Sequence, residues 1–440
     1  MRSWRALDLL LLVVLSGYIV AGARLVPFHG DEATLLHMSR DYGYLVIDHD
    51  PSRVLFDDKW THGDDQMLRL INGTLSKYLF GLAWHVSGYS MSDLNGAWDW
   101  HTDWSGNLAS GHMPSTGLLL SGRLASILML IASVVALFVL ARRIGGRPVS
   151  YAACLYFALN PAVLLNGRRA MMESALLLSA MLMVFAGLRY VRRLDFWGAV
   201  LMGLAAGLAL SAKHTNLFVV IAVMGGCIAY AFIERGRFTD PLLPAAHGLL
   251  AVAVGAAVFL VFNPVWIGRS PVGLGRAVLA ERKDMLQSFV SVYGGYPDAA
   301  SQAAGAFRET FVVEPQYFEV PKFGPPIAEQ ISSYERSGLE GISIGGSTVG
   351  GFVVLCLVLV GARRFVYSPL AREQKAVVAI WSLASAIPIL VLTPLEWQRY
   401  YMPVFPVVAL FGALGCVHLI QRALRRNPER RNTSSSMQST

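Results

Sequence analysis

The sequence predicts an all-α polytopic membrane protein with about ten transmembrane helices. Of its 440 residues, 54% are hydrophobic and only 15% are charged, which is too apolar for a soluble domain of this length. The apolar residues form long blocks instead of the alternating pattern of half-buried strands. Short basic clusters separate these blocks, so the net charge of +8 reflects membrane orientation, and nucleic acid is not an expected partner.

Ten apolar blocks are long enough to span a membrane. Crossing about 30 Å of hydrocarbon takes about twenty helical residues. The blocks cover residues 7–27, 117–140, 149–166, 171–188, 196–212, 215–233, 245–265, 347–361, 376–394 and 403–420.

The basic clusters predict the orientation of these spans. They lie at 142–147, 189–193, 235–237, 363–375 and 422–431, which are alternate connections along the chain. The positive-inside rule places these connections and both termini in the cytoplasm. The outer face then carries two long segments, 28–116 and 266–346, and three short turns at 167–170, 213–214 and 395–402.

The two long segments predict a small superstructure on the outer face. Met67 to Val86 has apolar residues at helical spacing, but polar residues interrupt it, so we expect helices lying in the membrane interface. The second segment combines a helix-like stretch, Val272 to Val292, with turns rich in glycine and proline. We expect a small loop-rich cap there. Residues 1–420 would form one transmembrane domain, and 421–440 a basic, disordered cytoplasmic tail.

Two adjacent acids follow the first span. Asp31 and Glu32 come directly after Gly30, which permits a sharp turn, and this would present carboxylates beside the bilayer. A solvated loop start is the simpler interpretation of this pair. The functional interpretation depends on what the other outer turns carry.

Cations occupy the three short outer turns. Arg168 and Arg169 lie in the first, Lys213 in the second and Arg399 in the third. Each could anchor a lipid headgroup. Together with Asp31 they would form a site in which cations hold a phosphate while a carboxylate takes a proton from an acceptor hydroxyl.

The first outer segment is rich in histidine, aspartate and tryptophan. His29 and Asp31 would offer two ligands to a divalent metal, but no spacing matches a specific metal motif, so a metal is possible and not required. Trp98, Trp100 and Trp104 lie among polar residues such as Asp103, where ring faces could stack on a sugar. Aromatic residues at a membrane interface are the alternative explanation.

Four short motifs, in this order, resemble a known family. They are Gly30-Asp-Glu-Ala33, the stretch from Asn160-Pro to Arg169-Ala-Met-Met-Glu173, Ala212-Lys213, and Arg399-Tyr-Tyr-Met-Pro403. With the span layout, they resemble the GT-C glycosyltransferases. The branch is the phospholipid carrier-dependent one, which includes protein O-mannosyltransferases and lipid A aminoarabinose transferases.

The resemblance implies a GT-C-like architecture and an activity. A hexose or pentose would move from a polyprenyl-phosphate carrier to an acceptor hydroxyl, with inversion, on the outer face of a bacterial cytoplasmic membrane. Asp31 with Glu32 would be the catalytic acids, while Lys213 and Arg399, and Arg168 or Arg169, would contact the carrier phosphate. The remaining candidates for sugar or acceptor contacts are Tyr400, Tyr401, His29, Trp100 and Asp103. No folded cap domain is expected in the second segment, so the acceptor could be a lipid, a glycan or a protein.

Two other functions remain open at this point. A transporter or flippase of lipid-linked sugars would also have many spans and outer cations, but it should carry ionisable residues near the middle of spans, where this sequence has almost none. A non-enzymatic assembly factor would need the geometry of the outer segment and not the Asp31 carboxylate.

Overall fold

A computed structural model describes residues 2–59, 61, 63–236 and 241–426 of the chain. Arg237 and the predicted tail beyond residue 426 lie outside the described residues. The helices are α1 (Arg2–Ala21), α2 (Gly30–Met38), α3 (Arg40–Tyr42), α4 (Gly63–Ile71), α5 (Leu75–Val86), α6 (Trp104–Ala109), α7 (Thr116–Ala158), α8 (Pro161–Arg168), α9 (Glu173–Arg193), α10 (Phe196–Ala212), α11 (Leu217–Gly236), α12 (Leu242–Phe262), α13 (Pro271–Tyr293), α14 (Ala299–Phe307), α15 (Ala328–Arg336), α16 (Thr348–Val366), α17 (Arg372–Leu392) and α18 (Phe405–Arg426).

The expectation of an all-α polytopic membrane protein is confirmed. Among the described residues, eight helices are long and apolar enough to cross a membrane: α1, α7, α9, α11, α12, α16, α17 and α18. The predicted span 196–212 is α10, which has 17 residues. The predicted span 149–166 is divided between the end of α7 and α8.

Local chemistry explains that division. Gly146 lies before this span; it has φ 79° and ψ −171°, a backbone conformation that is open almost only to glycine, and it kinks α7 between the predicted spans 117–140 and 149–166. Asn160 then caps α8 by accepting a hydrogen bond from the Val163 amide at 3.1 Å, and Pro161 occupies the first helical position. The break at Asn160 and Pro161 therefore divides the predicted span 149–166 into two helical pieces.

Two charged clusters mark opposite ends of the helix bundle. At one end, Arg123 of α7 donates to Glu32, which follows α1, over 2.8 Å. At the other end, Tyr151 of α7 donates to Asp8 of α1 over 2.6 Å. Helices α1 and α7 are therefore antiparallel. We call the end that carries Asp31 the site end.

The first long segment packs onto the site end as short helices. Helices α4 and α5 have 9 and 12 residues, too few to cross the hydrocarbon, and Asn72-Gly-Thr74 separates them. The Thr74 amide donates to the Ser211 carbonyl at 2.7 Å, and a Cβ on Gly73 would collide with the Ala212 carbonyl oxygen. Only glycine permits this close approach of the segment to the end of α10.

The second long segment has the predicted form of a small, loop-rich cap. It contains α13, α14, α15 and several single turns. Its contacts reach the first segment: Lys322 donates to the carbonyl oxygens of Trp100 and Thr102, each at 2.8 Å. The two segments thus cover the same end of the bundle.

Close packing of α16 against α18 depends on Gly361 of α16 and Gly415 of α18. A Cβ on Gly361 would collide with the Phe411 carbonyl oxygen, which is rigid backbone, whereas a Cβ on Gly225 would meet no atom within 4 Å. We expect Gly361→Ala to force the helices apart and lower the free energy of unfolding by about 1–3 kcal/mol. Gly225→Ala should be neutral or slightly stabilising, because alanine favours helix. Thermal unfolding of both variants in detergent tests this, and equal unfolding temperatures would contradict it.

Candidate functional site

The first turn of α2 positions the two acids differently. His29 caps the helix by accepting a hydrogen bond from the Asp31 amide at 3.1 Å, and Glu32 reaches back to the His29 amide at 3.1 Å. Gly30 begins the helix and does not form the sharp turn that the sequence suggests. A Cβ there would lie 2.5 Å from Cδ1 of Trp98, so glycine is needed for close packing.

Glu32 is fully buried, and all its hydrogen-bonding partners belong to the protein. Arg123 donates to both of its oxygens, at 2.8 and 2.9 Å, and the Ala170 amide donates at 2.8 Å. Burial opposes the charge of Glu32, but Arg123 outweighs it and lowers the pKa of this carboxyl. Glu32 therefore joins α2, α7 and the turn before α9.

Asp31 has different partners from Glu32 and belongs to a network of charges. Arg399 Nη1 donates to Asp31 Oδ2, and Arg399 Nε lies 3.3 Å from Glu319 Oε1. His29 Nε2 lies 2.6 Å from the second oxygen of Glu319. Burial would raise the pKa of Asp31, but Arg399 and then His29 more than offset it, so the pKa of Asp31 is lowered. The Asp31 side chain keeps 27% of its surface exposed.

A cavity of about 260 Å³ opens at this network. Of the predicted site residues, the structure brings Asp31, Lys213, Arg399, Tyr400 and Trp100 to its wall. The wall also contains further polar residues and a set of apolar ones; these include Asn72, Trp98, Glu173, Arg282, Leu68, Ile71, Met285 and Phe289. The cavity thus combines charged groups with apolar surface.

Three cations line the cavity with different partners. Lys213 Nζ donates to Glu173 Oε1 at 2.8 Å, and Arg399 pairs with Asp31. Arg282 of α13 donates to the Ile71 carbonyl and forms no ion pair within the described part of the chain. Burial, followed by the nearby Arg399 charge, lowers the pKa of Arg282. An anion in the cavity would therefore be favoured.

The other predicted phosphate ligands lie away from this cavity. Arg168 donates to the carbonyl oxygens of Tyr18 and Ile19 at the end of α1, at 2.7 and 2.9 Å, and to the Tyr334 hydroxyl at 2.6 Å. Arg169 donates to the carbonyl of Pro27 at 3.0 Å and to that of Tyr317 at 2.7 Å. Both arginines are buried among backbone acceptors.

Three other predicted contacts also lie outside the cavity wall. Tyr401 is buried, with its hydroxyl 3.0 Å from that of Tyr296. Asp103 is exposed and caps α6 by accepting from the Gly106 amide at 2.7 Å. His29 is held between the start of α2 and Glu319.

Sequence reasoning missed two charged residues of the site. Glu319 and Arg282 both lie in the second long segment, about 290 and 250 residues after Asp31 in the chain. The proline-rich stretch around Glu319 was a visible irregularity, but neither residue sits in a motif. Nothing local indicates that the cap folds back onto α2.

A metal site is not evident in the described residues. Within them, no group of three or more histidine, cysteine, aspartate or glutamate side chains is arranged to hold a metal ion. A divalent metal at His29 and Asp31 stays a prediction.

A family model matches part of the chain. Residues 60–267 match the family model described as dolichyl-phosphate-mannose-protein mannosyltransferase. A search of curated protein sequences found no match.

Solved structures are similar to this chain over 59–99% of its length. The oligosaccharyltransferase from Archaeoglobus fulgidus in its apo form has a TM-score of 0.52 at 15% identity, covering 96% of this chain and 52% of its own. ArnT from Cupriavidus metallidurans bound to undecaprenyl phosphate has a TM-score of 0.48 at 14% identity, covering 99% of this chain and 64% of its own. The protein O-mannosyltransferase Pmt1-Pmt2 complex from S. cerevisiae has a TM-score of 0.42 at 20% identity, covering 59% and 33%. The last two matches are too distant to carry an argument. The chain spans between a third and two thirds of the length of these proteins.

The described residues form a helical membrane fold that is similar to that of the archaeal oligosaccharyltransferase. The family-model match over residues 60–267 agrees with the resemblance drawn from the four motifs, which is thereby confirmed.

The Glu32–Arg123 pair should be a main support of the site end. Arg123→Met would leave a buried carboxylate without its guanidinium partner, and we expect the free energy of unfolding to fall by about 3–5 kcal/mol. Arg336→Met, at an exposed position of α15, is the matched control and should change little. Thermal unfolding in detergent measures both, and the double variant Glu32→Gln with Arg123→Met should recover part of the loss. An unchanged Arg123→Met variant would refute this role.

Proposed function

We propose that this protein is a glycosyltransferase. It transfers a sugar from a polyprenyl-phosphate carrier to an acceptor hydroxyl, with inversion, and Asp31 is the catalytic carboxylate. One observation carries the proposal: Asp31 and three cations, Lys213, Arg282 and Arg399, line one partly apolar cavity. The family description, which names a lipid-phosphate-linked sugar, agrees with this chemistry.

The cations would hold the carrier phosphate. Arg282 has no carboxylate partner within the described residues. Lys213 and Arg399 are each paired with a carboxylate that also lines the cavity. Charge-assisted hydrogen bonds from these side chains would stabilise the negative charge that develops as the phosphate leaves. The apolar wall near Met285 and Phe289 suits the hydrocarbon that follows the phosphate.

The transfer needs one base and one leaving group. The acceptor oxygen attacks C1 of the sugar, and the bond between C1 and the phosphate oxygen breaks with its electron pair remaining on the phosphate. Asp31 takes the acceptor proton. A single displacement inverts C1, whereas retention would call on a second, nucleophilic carboxylate, by analogy with glycoside hydrolases.

The lowered pKa of Asp31 suggests an ordered sequence of events. In the described structure Arg399 pairs with Asp31, which keeps this carboxylate ionised but makes it a weak base. A bound phosphate would compete for Arg399. As that pairing weakens, the pKa of Asp31 rises towards its ordinary value, so the base becomes stronger once the donor is in place.

The buried predicted residues take structural roles in this proposal. Glu32 and Arg169 hold the turns around α2, and Arg168 binds the carbonyl end of α1. They would support the geometry of the cavity without contacting the phosphate. Tyr400 and Trp100 line the cavity and are available to contact sugar or acceptor.

The membrane setting completes the proposal. The site end would face the outer side of a bacterial cytoplasmic membrane, with both termini in the cytoplasm, as the basic clusters predict. The family description names a protein acceptor, and a lipid or glycan acceptor fits the small cap equally well.

Asp31→Asn should abolish turnover while preserving shape. With the full chain in lipid nanodiscs, a panel of polyprenyl-phosphate sugars and a broad acceptor extract, we expect release of free carrier to fall by about 10²–10⁴-fold. Asp64→Asn, an exposed acid in α4, is the control and should release carrier normally. Thermal unfolding and carrier binding show that the variant is intact. Normal release by Asp31→Asn would refute the catalytic role, and carrier binding without release by the natural protein would favour a transporter.

Arg282→Gln should weaken carrier binding. Losing one charge-assisted contact to the phosphate should raise the Kd for polyprenyl phosphate by about 10- to 100-fold. Arg276→Gln removes the same charge from an exposed position of the same helix, outside the cavity wall, and should change the Kd less than twofold. Lys213→Gln should resemble Arg282→Gln. Equal effects of Arg276→Gln and Arg282→Gln would show that only the general field of α13 matters.

A further inference from the structure

Three buried polar atoms that belong to residues of the cavity wall have no hydrogen-bond partner in the described part of the chain. They are Nε1 of Trp98, Oε2 of Glu173 and Nε of Arg399. The Arg399 atom faces Glu319 at 3.3 Å, so its charge is compensated. Trp98 and Glu173 are only 5% and 1% exposed. Among the described residues, no charged or polar group compensates Nε1 of Trp98 or Oε2 of Glu173 in this way. Buried polar groups are normally paired, so these two atoms are available to a polar group bound in the cavity.

The indole of Trp98 is held rigidly beside the catalytic carboxylate. Its ring packs against Phe28, Trp104 and Phe323, with centroids 5.3, 5.4 and 5.5 Å away. Its Nε1 would lie 2.8 Å from a Cβ on Gly30, the residue that precedes Asp31. The free N–H is therefore fixed next to the first turn of α2.

The free oxygen of Glu173 lies beside the proposed phosphate ligands. Glu173 begins α9, and its other oxygen accepts from Lys213 at 2.8 Å. This hydrogen bond fixes the position of the Glu173 carboxylate in the cavity wall. A group bonded directly to a phosphate at Lys213 would lie within reach of this oxygen.

Together the two atoms match a hydroxylated ring. An indole N–H can only donate and a carboxylate oxygen can only accept, whereas a hydroxyl does both. A hydrocarbon would satisfy neither atom. We propose that Trp98 Nε1 and Glu173 Oε2 form a hydroxyl-binding subsite for the sugar that is attached to the carrier phosphate, and that this pair contributes to the choice of sugar. The inference rests on the proposed function, which supplies the phosphate at Lys213.

The test compares a carrier with and without its sugar. The full chain in nanodiscs is titrated with polyprenyl phosphate and with the same lipid bearing mannose, glucose, galactose, N-acetylglucosamine or aminoarabinose. For each sugar, the Kd of plain polyprenyl phosphate is divided by the Kd of the sugar-bearing lipid. We call this ratio the sugar increment and use the sugar that gives the largest value. Trp98→Phe keeps an aromatic ring and removes the N–H. Trp104→Phe, in the same aromatic cluster but not on this cavity wall, is the matched control.

Trp98→Phe should reduce the sugar increment by about 3- to 10-fold, the effect of one lost hydrogen bond, and leave the Kd of plain polyprenyl phosphate within twofold. Trp104→Phe should keep the increment. Glu173→Gln should also reduce the sugar increment. Because this change alters the partner of Lys213, it can also change phosphate binding, and the Kd of the same variant for plain polyprenyl phosphate corrects for that effect. Deoxy sugars provide a second measurement: removing the hydroxyl that Trp98 contacts should cost affinity in the natural protein but not in Trp98→Phe.

Each remaining outcome decides against the inference. An unchanged increment in Trp98→Phe would mean that water satisfies these atoms. Equal weakening of both lipids would mean that the ring only shapes the cavity. If no sugar adds affinity to the natural protein while plain carrier binds, the subsite is refuted and the phosphate site stands. If plain carrier does not bind, the proposed function fails and the subsite with it.

Discussion

The ion pair between Glu32 and Arg123 is the constraint on which the site depends. A buried carboxylate is costly unless it is fully paired, and Glu32 satisfies both oxygens with Arg123, the Ala170 amide and the His29 amide. These partners belong to three separate parts of the chain. Because Glu32 occupies the inward face of the first helical turn, its neighbour Asp31 must lie on another face, and that face borders the cavity.

The same end of the bundle separates structural charges from available ones. Arg168 donates to carbonyl oxygens at the end of α1 and to the Tyr334 hydroxyl, and Arg169 donates to the carbonyl oxygens of Pro27 and Tyr317. Three other cations line the cavity: Arg282, Lys213 and Arg399. Lys213 and Arg399 are each paired with a carboxylate there. Cations whose donors are already bonded to protein acceptors have few donors left for a ligand, whereas a cation paired with a carboxylate at the cavity can bind an incoming anion in its place.

The cavity exists because distant segments approach closely. Gly73 lets the first segment touch the end of α10 beside Lys213, and Gly30 lets Trp98 lie against the start of α2. Helix α13 brings Arg282 to the cavity wall, and the loop around Glu319 adds a carboxylate that contacts Arg399 and His29. Each approach requires a small residue or a buried pair, so the wall should tolerate few substitutions that add bulk.

The sequence by itself determined the helical membrane fold, the small cap and the gathering of Asp31, Lys213 and Arg399 at one end. These features follow from local quantities: block length, hydropathy and the alternation of basic clusters. Only the tertiary structure decided which charged side chains face the cavity, because a carboxylate or guanidinium is available or occupied according to partners that lie far away in the chain. That is why Glu32 and Arg168 looked equivalent to Asp31 and Lys213 in the sequence, and why the cap residues Arg282 and Glu319 had no signal of their own.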